Sequence, residues 1–407
     1  MKRAYLWLAA YGLLGLTQNG LLPVLMPLVA PSGSSAGITY AVFSLFGLAA
    51  PVLGTWADRS GRHRDLLIWG TLGAGLLLLL FDTASVTLRI VIAAGAGLGT
   101  MAATTSGNVL AIQGAPETEW DDRVARLQRF ISAGQVLGLI AAGVVARARP
   151  DDGFVFAGVA LLAAAGLGIA APPRLRRDPR QKPAAGPMVG GDAAASTAHH
   201  GHRASWVEIR AYLRVINRPL RRFLIVWLVG YAAMNGFATI FPVAMIRGFG
   251  MDPILPSGAY AAGVGLSLLV YPPIGVATHR WGGGRMLIAG FAARLVLLAA
   301  ILALERSHLR WTGASILVGF GLIQFVWPML GISANVLSVR LAPLARGESA
   351  GLFYAATSLA ASFGSALAGV IFGAAGFATL AAATGLAVGA ALALAILWLG
   401  RGSEHPM

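Results

Sequence analysis

Gly54-Thr55-Trp56-Ala57-Asp58-Arg59-Ser60-Gly61-Arg62-His63-Arg64-Asp65-Leu66 is a short charged break between two apolar runs, near 36–57 and 65–82. Its chemistry is that of a tight turn at a membrane edge. Gly61 permits the turn because it lacks a Cβ. Gly54 would let the helix before the turn approach a neighbour closely. Asp58 would be favoured facing the N-terminus of another helix, where the partial charge is positive. Arg59 and Arg62 would anchor the turn to carboxylates or lipid phosphates.

Similar apolar runs recur along the whole chain. Of 407 residues, 57% are hydrophobic and 12% are charged, about half the charged share of a soluble domain. A spanning helix needs about 20 mostly apolar residues. Twelve candidate spans lie near 5–30, 36–57, 65–82, 87–112, 125–147, 153–172, 220–247, 255–278, 285–304, 310–338, 347–373 and 377–400. Strand alternation is absent, so the spans are read as helices. The first run contains Gln18 and Asn19 and is too long for a cleaved signal, so it is read as a span. There is no cysteine, which excludes disulfides.

The net charge of +15 is distributed by side. With the N-terminus in the cytoplasm, Lys and Arg on cytoplasmic segments outnumber those on the other face about four to one. This places both termini in the cytoplasm, and the location is read as the inner (cytoplasmic) membrane. It also argues against nucleic acid, which would need a soluble basic domain.

Residues 173–218, rich in Arg, Pro, Ala and His, have no run of spanning length. They read as a cytoplasmic linker between an N-terminal unit, 1–172, and a C-terminal unit, 219–407. Trp206–Val215 could lie on the membrane as a basic amphipathic helix. His199, His200 and His202 read as part of a solvated loop; a metal would need further Cys or carboxylate ligands. The two units repeat. SGNVLAI at 106–112 returns as SANVLSV at 333–339, GTWADRSGRHRDLL at 54–67 returns weakly as GVATHRWGGGRMLI at 275–288, and Asn19-Gly20 returns as Asn235-Gly236. Repeats of six helices with one topology imply an axis along the membrane normal and a substrate path between the halves.

The loop at 54–66 resembles the signature of the major facilitator superfamily, Gly-x-Leu-Ala-Asp-Arg-x-Gly-Arg-Lys/Arg. Gly54, Ala57, Asp58, Arg59, Gly61 and Arg62 match; Trp56 replaces Leu and His63 the second base. The resemblance implies an all-α membrane protein with twelve transmembrane helices in two pseudo-symmetric six-helix bundles. It implies that Asp58 latches onto the start of helix eleven, here Arg346-Gly347-Glu348-Ser349. The repeat has His279 in place of Asp58, so its latch is read as vestigial. Span five, with Gly134, Gly138 and Gly143, also resembles the glycine motif of family exporters, although Leu139 replaces its Pro.

The resemblance implies that helices one, four, seven and ten line the cavity. Their polar and aromatic residues are Gln18, Asn19, Thr104, Thr105, Asn108, Tyr231, Asn235, Gln324, Trp327 and Asn335. Amides donate and accept hydrogen bonds, which suits a polar solute. Tying helices together is the competing role, above all for Asn108 and Asn335. No Asp or Glu falls mid-span on these helices. The mid-span charge is Arg294 in span nine, which could bind an anion, pair with a backbone carbonyl or snorkel as a structural residue.

The expected function is secondary active transport of a small organic solute by alternating access, with no cofactor and no catalytic residue. Gly-x-x-x-x-Gly-Lys-Ser/Thr does not occur, so ATP is not the driver. Efflux of a drug, metabolite or siderophore by proton antiport leads; proton-coupled uptake of a polar or anionic solute is the alternative. A non-transporting sensor or a membrane enzyme is the other class. The expected partners are the solute, protons and membrane lipids, and the expected state is a monomer. Asp58→Asn should abolish flux while leaving membrane insertion intact, measured as transport per molecule of inserted protein; unchanged flux would sink the latch.

Overall fold

The computed structural model describes residues 6–112, 120–170, 218–307, 311–341 and 346–400. The linker expectation, with its histidines and amphipathic segment, lies outside them, apart from Arg218. All regular structure among the described residues is helical. The chain runs α1 Leu6–Leu14, a π-helical segment Gly15–Leu21, α2 Leu22–Leu28, α3 Gly33–Leu45, a 3-10 turn Phe46–Ala49, and α4 Ala50–Ser60. It continues with α5 His63–Leu79, α6 Val86–Ile112, α7 Trp120–Ala148, α8 Asp152–Gly168, α9 Arg218–Phe249 and α10 Ile254–Trp281. The remainder is α11 Gly283–Ser307, α12 Thr312–Phe325, α13 Trp327–Arg340 and α14 Arg346–Leu399.

Eight helical stretches among the described residues are long and apolar enough to cross a membrane. The helices over Gly33–Ala49 and Asp152–Gly168 are apolar but shorter. α14 is interrupted at Gly376 (φ 77°, ψ −173°), between the runs read as spans eleven and twelve. Only glycine occupies that backbone region without strain. Large apolar side chains remain exposed along the helices, among them Leu269 (73%), Val296 (68%) and Leu386 (78%). Water would not tolerate such a surface; hydrocarbon does.

Because lipid is as apolar as leucine, helices here associate through close packing rather than water exclusion. Glycine supplies that closeness. A Cβ on Gly134 would strike the Gly12 carbonyl, and one on Gly138 the Leu16 carbonyl, so α7 and the first span touch backbone to backbone. Gly20 abuts Gly138 from the other side, and Gly236 likewise abuts Gly364. The repeated Asn-Gly pairs therefore hold like positions, each glycine against a helix of its own half. The large buried side chains fall into two clusters. One is drawn from residues 7–161 with Ala261, the other from 220–399 with Ala30 and Ala36.

Contacts between the two parts of the chain run along α3 and into α4, against α14, and polar bonds join them at one end. Arg247 donates to the Leu28 and Ala30 carbonyls at 2.7 and 2.6 Å. Arg147 pairs with Asp252 at 3.2 Å. Gly33 meets Gly373, and Gly143 meets Ser257 and Ile254. Further along the same helices the Ser362 hydroxyl donates to the Ala41 carbonyl at 2.6 Å, Gly47 meets Ser358, and α4 packs on α14.

The loop that opened the sequence reading ends α4. Gly61 adopts φ 67°, ψ 24° and its N–H donates to the Ala57 carbonyl, a left-handed helix stop. α4 packs on α14. The side chains of Asp58, Arg59 and Asn108 lie outside the described residues. Arg62 pairs weakly with Asp65 at 3.9 Å, and Arg64 donates to the Ile169 carbonyl at 2.5 Å. One expectation is corrected: nothing lies within 4 Å of a Cβ built on Gly54. The helix faces open space there, so Gly54 mediates no close approach in this state.

Gly138→Val should lower stability by about 1–3 kcal/mol through the clash with the Leu16 backbone. Gly166→Ala, whose Cβ meets nothing within 4 Å, should change it little. Thermal unfolding in detergent compares the two; equal midpoints would contradict the packing argument.

Candidate functional site

The first span is not a plain α-helix. Gly15–Leu21 widens into a π-helical turn, a form that shifts the phase of later residues and recurs at functional sites. Thr17 is buried in it and donates its hydroxyl to the Leu13 and Leu14 carbonyls, each at 3.0 Å. Span ten is interrupted too: α12 stops at Phe325 and α13 starts at Trp327, with Pro328 in its first turn. Proline lacks the N–H that a continuous helix would need there. Gln324 and Trp327 flank this break.

These two irregular segments border a cavity of about 290 Å³. Its amides are Asn19, Gln135, Asn235 and Gln324. Its rings are Tyr40, Tyr231, Tyr260, Tyr271 and Trp327, and Ser132 and Ser267 add hydroxyls. Arg294 supplies the charge; no Asp or Glu is among the lining residues.

Arg294 is 3% exposed. It is neither snorkelling nor bound to a carbonyl. One terminal guanidinium nitrogen donates to the Met234 thioether at 2.9 Å, a weak acceptor. The guanidinium carbon lies 5.4 Å from the centroid of the Trp327 ring, within cation–π range. Nε and the second terminal nitrogen have no hydrogen-bond partner. Buried donors of this kind are rare and costly, and on the cavity wall these two have no acceptor among the described residues.

The residues expected at the site divide. Asn19, Tyr231, Asn235, Gln324, Trp327 and Arg294 meet on the one cavity. Asn235 is partly committed, donating to Ser365 Oγ at 3.2 Å and to the Ala361 carbonyl at 3.4 Å. Gln18 and Asn335 are not among the lining residues. Gln18 accepts from the Thr104 hydroxyl at 2.9 Å. Asn335 donates to the Gly331 carbonyl one turn back and is exposed. The α6 residues Thr104 and Thr105 also stand outside the cavity wall. Instead spans two, five and eight contribute Tyr40, Ser132, Gln135, Tyr260, Ser267 and Tyr271. A sequence signal existed: Tyr260, Ser267 and Tyr271 recur at i, i+7 and i+11, one face of a helix.

A family profile of the Major Facilitator Superfamily matches residues 7–343. The chain belongs to the major facilitator superfamily. Solved members of similar shape include the nucleoside transporter NupG, with 13% identity, a TM-score of 0.71, and 98% of this chain and 99% of that one covered. Another is a D-xylose-proton symporter, with 14% identity, a TM-score of 0.71, and 98% and 97% covered. A third is an auto-inhibited POT family peptide transporter, with 12% identity, a TM-score of 0.73, and 100% and 99% covered. At these identities the likeness speaks for the fold. No curated protein sequence matches at a significant level. This superfamily member is a multi-pass membrane protein and a transporter rather than an enzyme.

Replacing Gln324 by Ala should raise the apparent KM of transport several-fold with little change in thermal midpoint. Gln18→Ala should do the reverse, since its bond joins two helices. Reversed results would show that the cavity wall has been misread.

Proposed function

We propose that this chain is a secondary active transporter that carries a small organic anion through the cavity by alternating access, with Arg294 as the substrate's counter-charge. The observation that carries the reading is the buried Arg294 fork, 3% exposed with two nitrogens unpartnered, on a wall without a carboxylate. Charge-assisted, two-pronged bonds to a carboxylate or phosphoryl oxygen pair would fill it. The amides Asn19 and Gln324 would hold the polar remainder of the solute, and the rings its apolar part.

The architecture proposed for this cycle has twelve spans in two pseudo-symmetric six-helix bundles, 1–172 and 219–407, joined by a cytoplasmic linker at 173–218. The like placement of Gly20 and Gly236 and the break at Gly376 support it. The basic-residue bias supports an inner-membrane location with both termini cytoplasmic. On that orientation the contacts of Arg247, Arg147 and Gly33 close the outer end. Asp58 would re-engage α14 when the protein opens outward.

Proton-driven efflux of a drug had its support in the glycines of span five. Those glycines serve packing: Gly134 and Gly138 against the first span, Gly143 against α10. Protons would also need a titrating group in the cavity, and none of its lining residues is a carboxylate or histidine.

An untargeted comparison of small molecules held and released by cells with and without the protein tests the reading. Anions should dominate the differences. Arg294→Gln should erase those differences, lowering flux of the identified solute by about a hundredfold, and Arg294→Lys should fall between. Differences dominated by cations or neutral solutes would overturn it.

A further inference from the structure

We infer that the empty carrier is locked by its own arginine, so that net flux is slow and the protein works as an anion exchanger. The inference rests on the anion-binding reading of Arg294 and concerns what happens when no anion is bound.

Alternating access requires the cavity to pass through a state closed at both ends. In that state Arg294 loses whatever water reaches it from the open side. A guanidinium stays charged in the neutral range, and an unpaired charge cut off from water is strongly unfavourable. An internal carboxylate would relieve this, but no described acidic side chain lines the cavity. Asp252 is held by Arg147 at 3.2 Å, Asp65 faces Arg62, and Asp151 lies 3.7 Å from Arg89. Glu305 stands eleven residues beyond Arg294, near the end of α11, about 16 Å along the helix. The neighbours that do face the guanidinium are Met234, Trp327, Tyr231 and Tyr260, none of which carries a negative charge. The substrate anion is then the missing counter-ion. Loaded, the carrier closes; empty, it stays open to one side until another anion enters. Each inward passage is therefore balanced by an outward one, with no proton taking part.

The lock can be read without knowing the substrate. The chain has no cysteine, so a single introduced thiol reports one position. Ser257 is fully buried at the closed end, beside Gly143, and Ser257→Cys would be exposed when that end opens. The protein is placed in lipid nanodiscs in dilute Tris neutralised with a polymeric carboxylate too large to enter the cavity, and labelling by a cationic maleimide is timed. With Arg294 intact, labelling should be slow. Arg294→Gln should accelerate it about tenfold or more by removing the buried charge. Met234→Glu, which sets a carboxylate where the thioether now meets the guanidinium, should accelerate it as well. Arg294→Lys keeps the charge and should remain slow. Ala391→Cys, buried in the helical core, must stay unlabelled in every background, which separates opening from unfolding. Equal labelling rates with Arg294 intact, with Arg294→Gln and with Met234→Glu would overturn the lock, as would Arg294→Lys labelling as fast as Arg294→Gln. Because no solute enters this assay, its failure would leave the anion-transport reading standing. A cation-dominated metabolite comparison would remove that reading and this inference with it.

Discussion

Backbone contact between helices is the constraint on which the rest of this protein depends. In hydrocarbon each helix satisfies its own peptide groups, and no water is released when two apolar helices meet. Attraction must come from atoms packed at short range, and side chains keep backbones apart. Glycine removes them. Gly12, Gly134 and Gly138 bring α7 against the first span, and Gly37 and Gly369 bring α3 against α14. Where glycines alternate along two facing helices, the pair can also slide or tilt without unlocking interdigitated side chains. The same residues thus serve cohesion and leave room for movement.

Such packing leaves the polar residues to be accounted for separately, because each is costly in this solvent unless partnered. Most are. Tyr11 bonds the Ala103 carbonyl and Ser106, Trp227 bonds Thr357, and the threonines donate to carbonyls one turn back. The Ser257 and Ser333 hydroxyls are also unpartnered, but the two nitrogens of Arg294 are the unpartnered charge on the cavity wall among the described residues. They lie where two spans depart from regular helix, at the π turn of Gly15–Leu21 and the break before Trp327. Those departures create the concavity, and the arginine gives it a sign.

A cation on the wall shapes the energetics of the cycle differently from a carboxylate. A carboxylate can take up a proton and become neutral when buried; an arginine cannot discharge itself. On the proposed reading, neutrality in the closed cavity would then come from the solute. The choice of residue at one position thereby links substrate charge to the way transport is driven.

The sequence by itself determined the solvent, the secondary structure and the family. Long apolar runs leave the backbone no option but helix, and the Gly54–Leu66 turn carries a pattern that few other folds share. It also marked the amides and Arg294 as groups needing a reason to be in a membrane. What it could not supply was direction around the helix axis. Asn19 and Gln18 are neighbours in sequence that part company, one to the cavity and one to Thr104. Likewise the fate of Arg294 depended on which way its helix faces. Composition and spacing are local properties, whereas burial and missing partners are properties of everything packed around a residue. Only the tertiary structure could decide them.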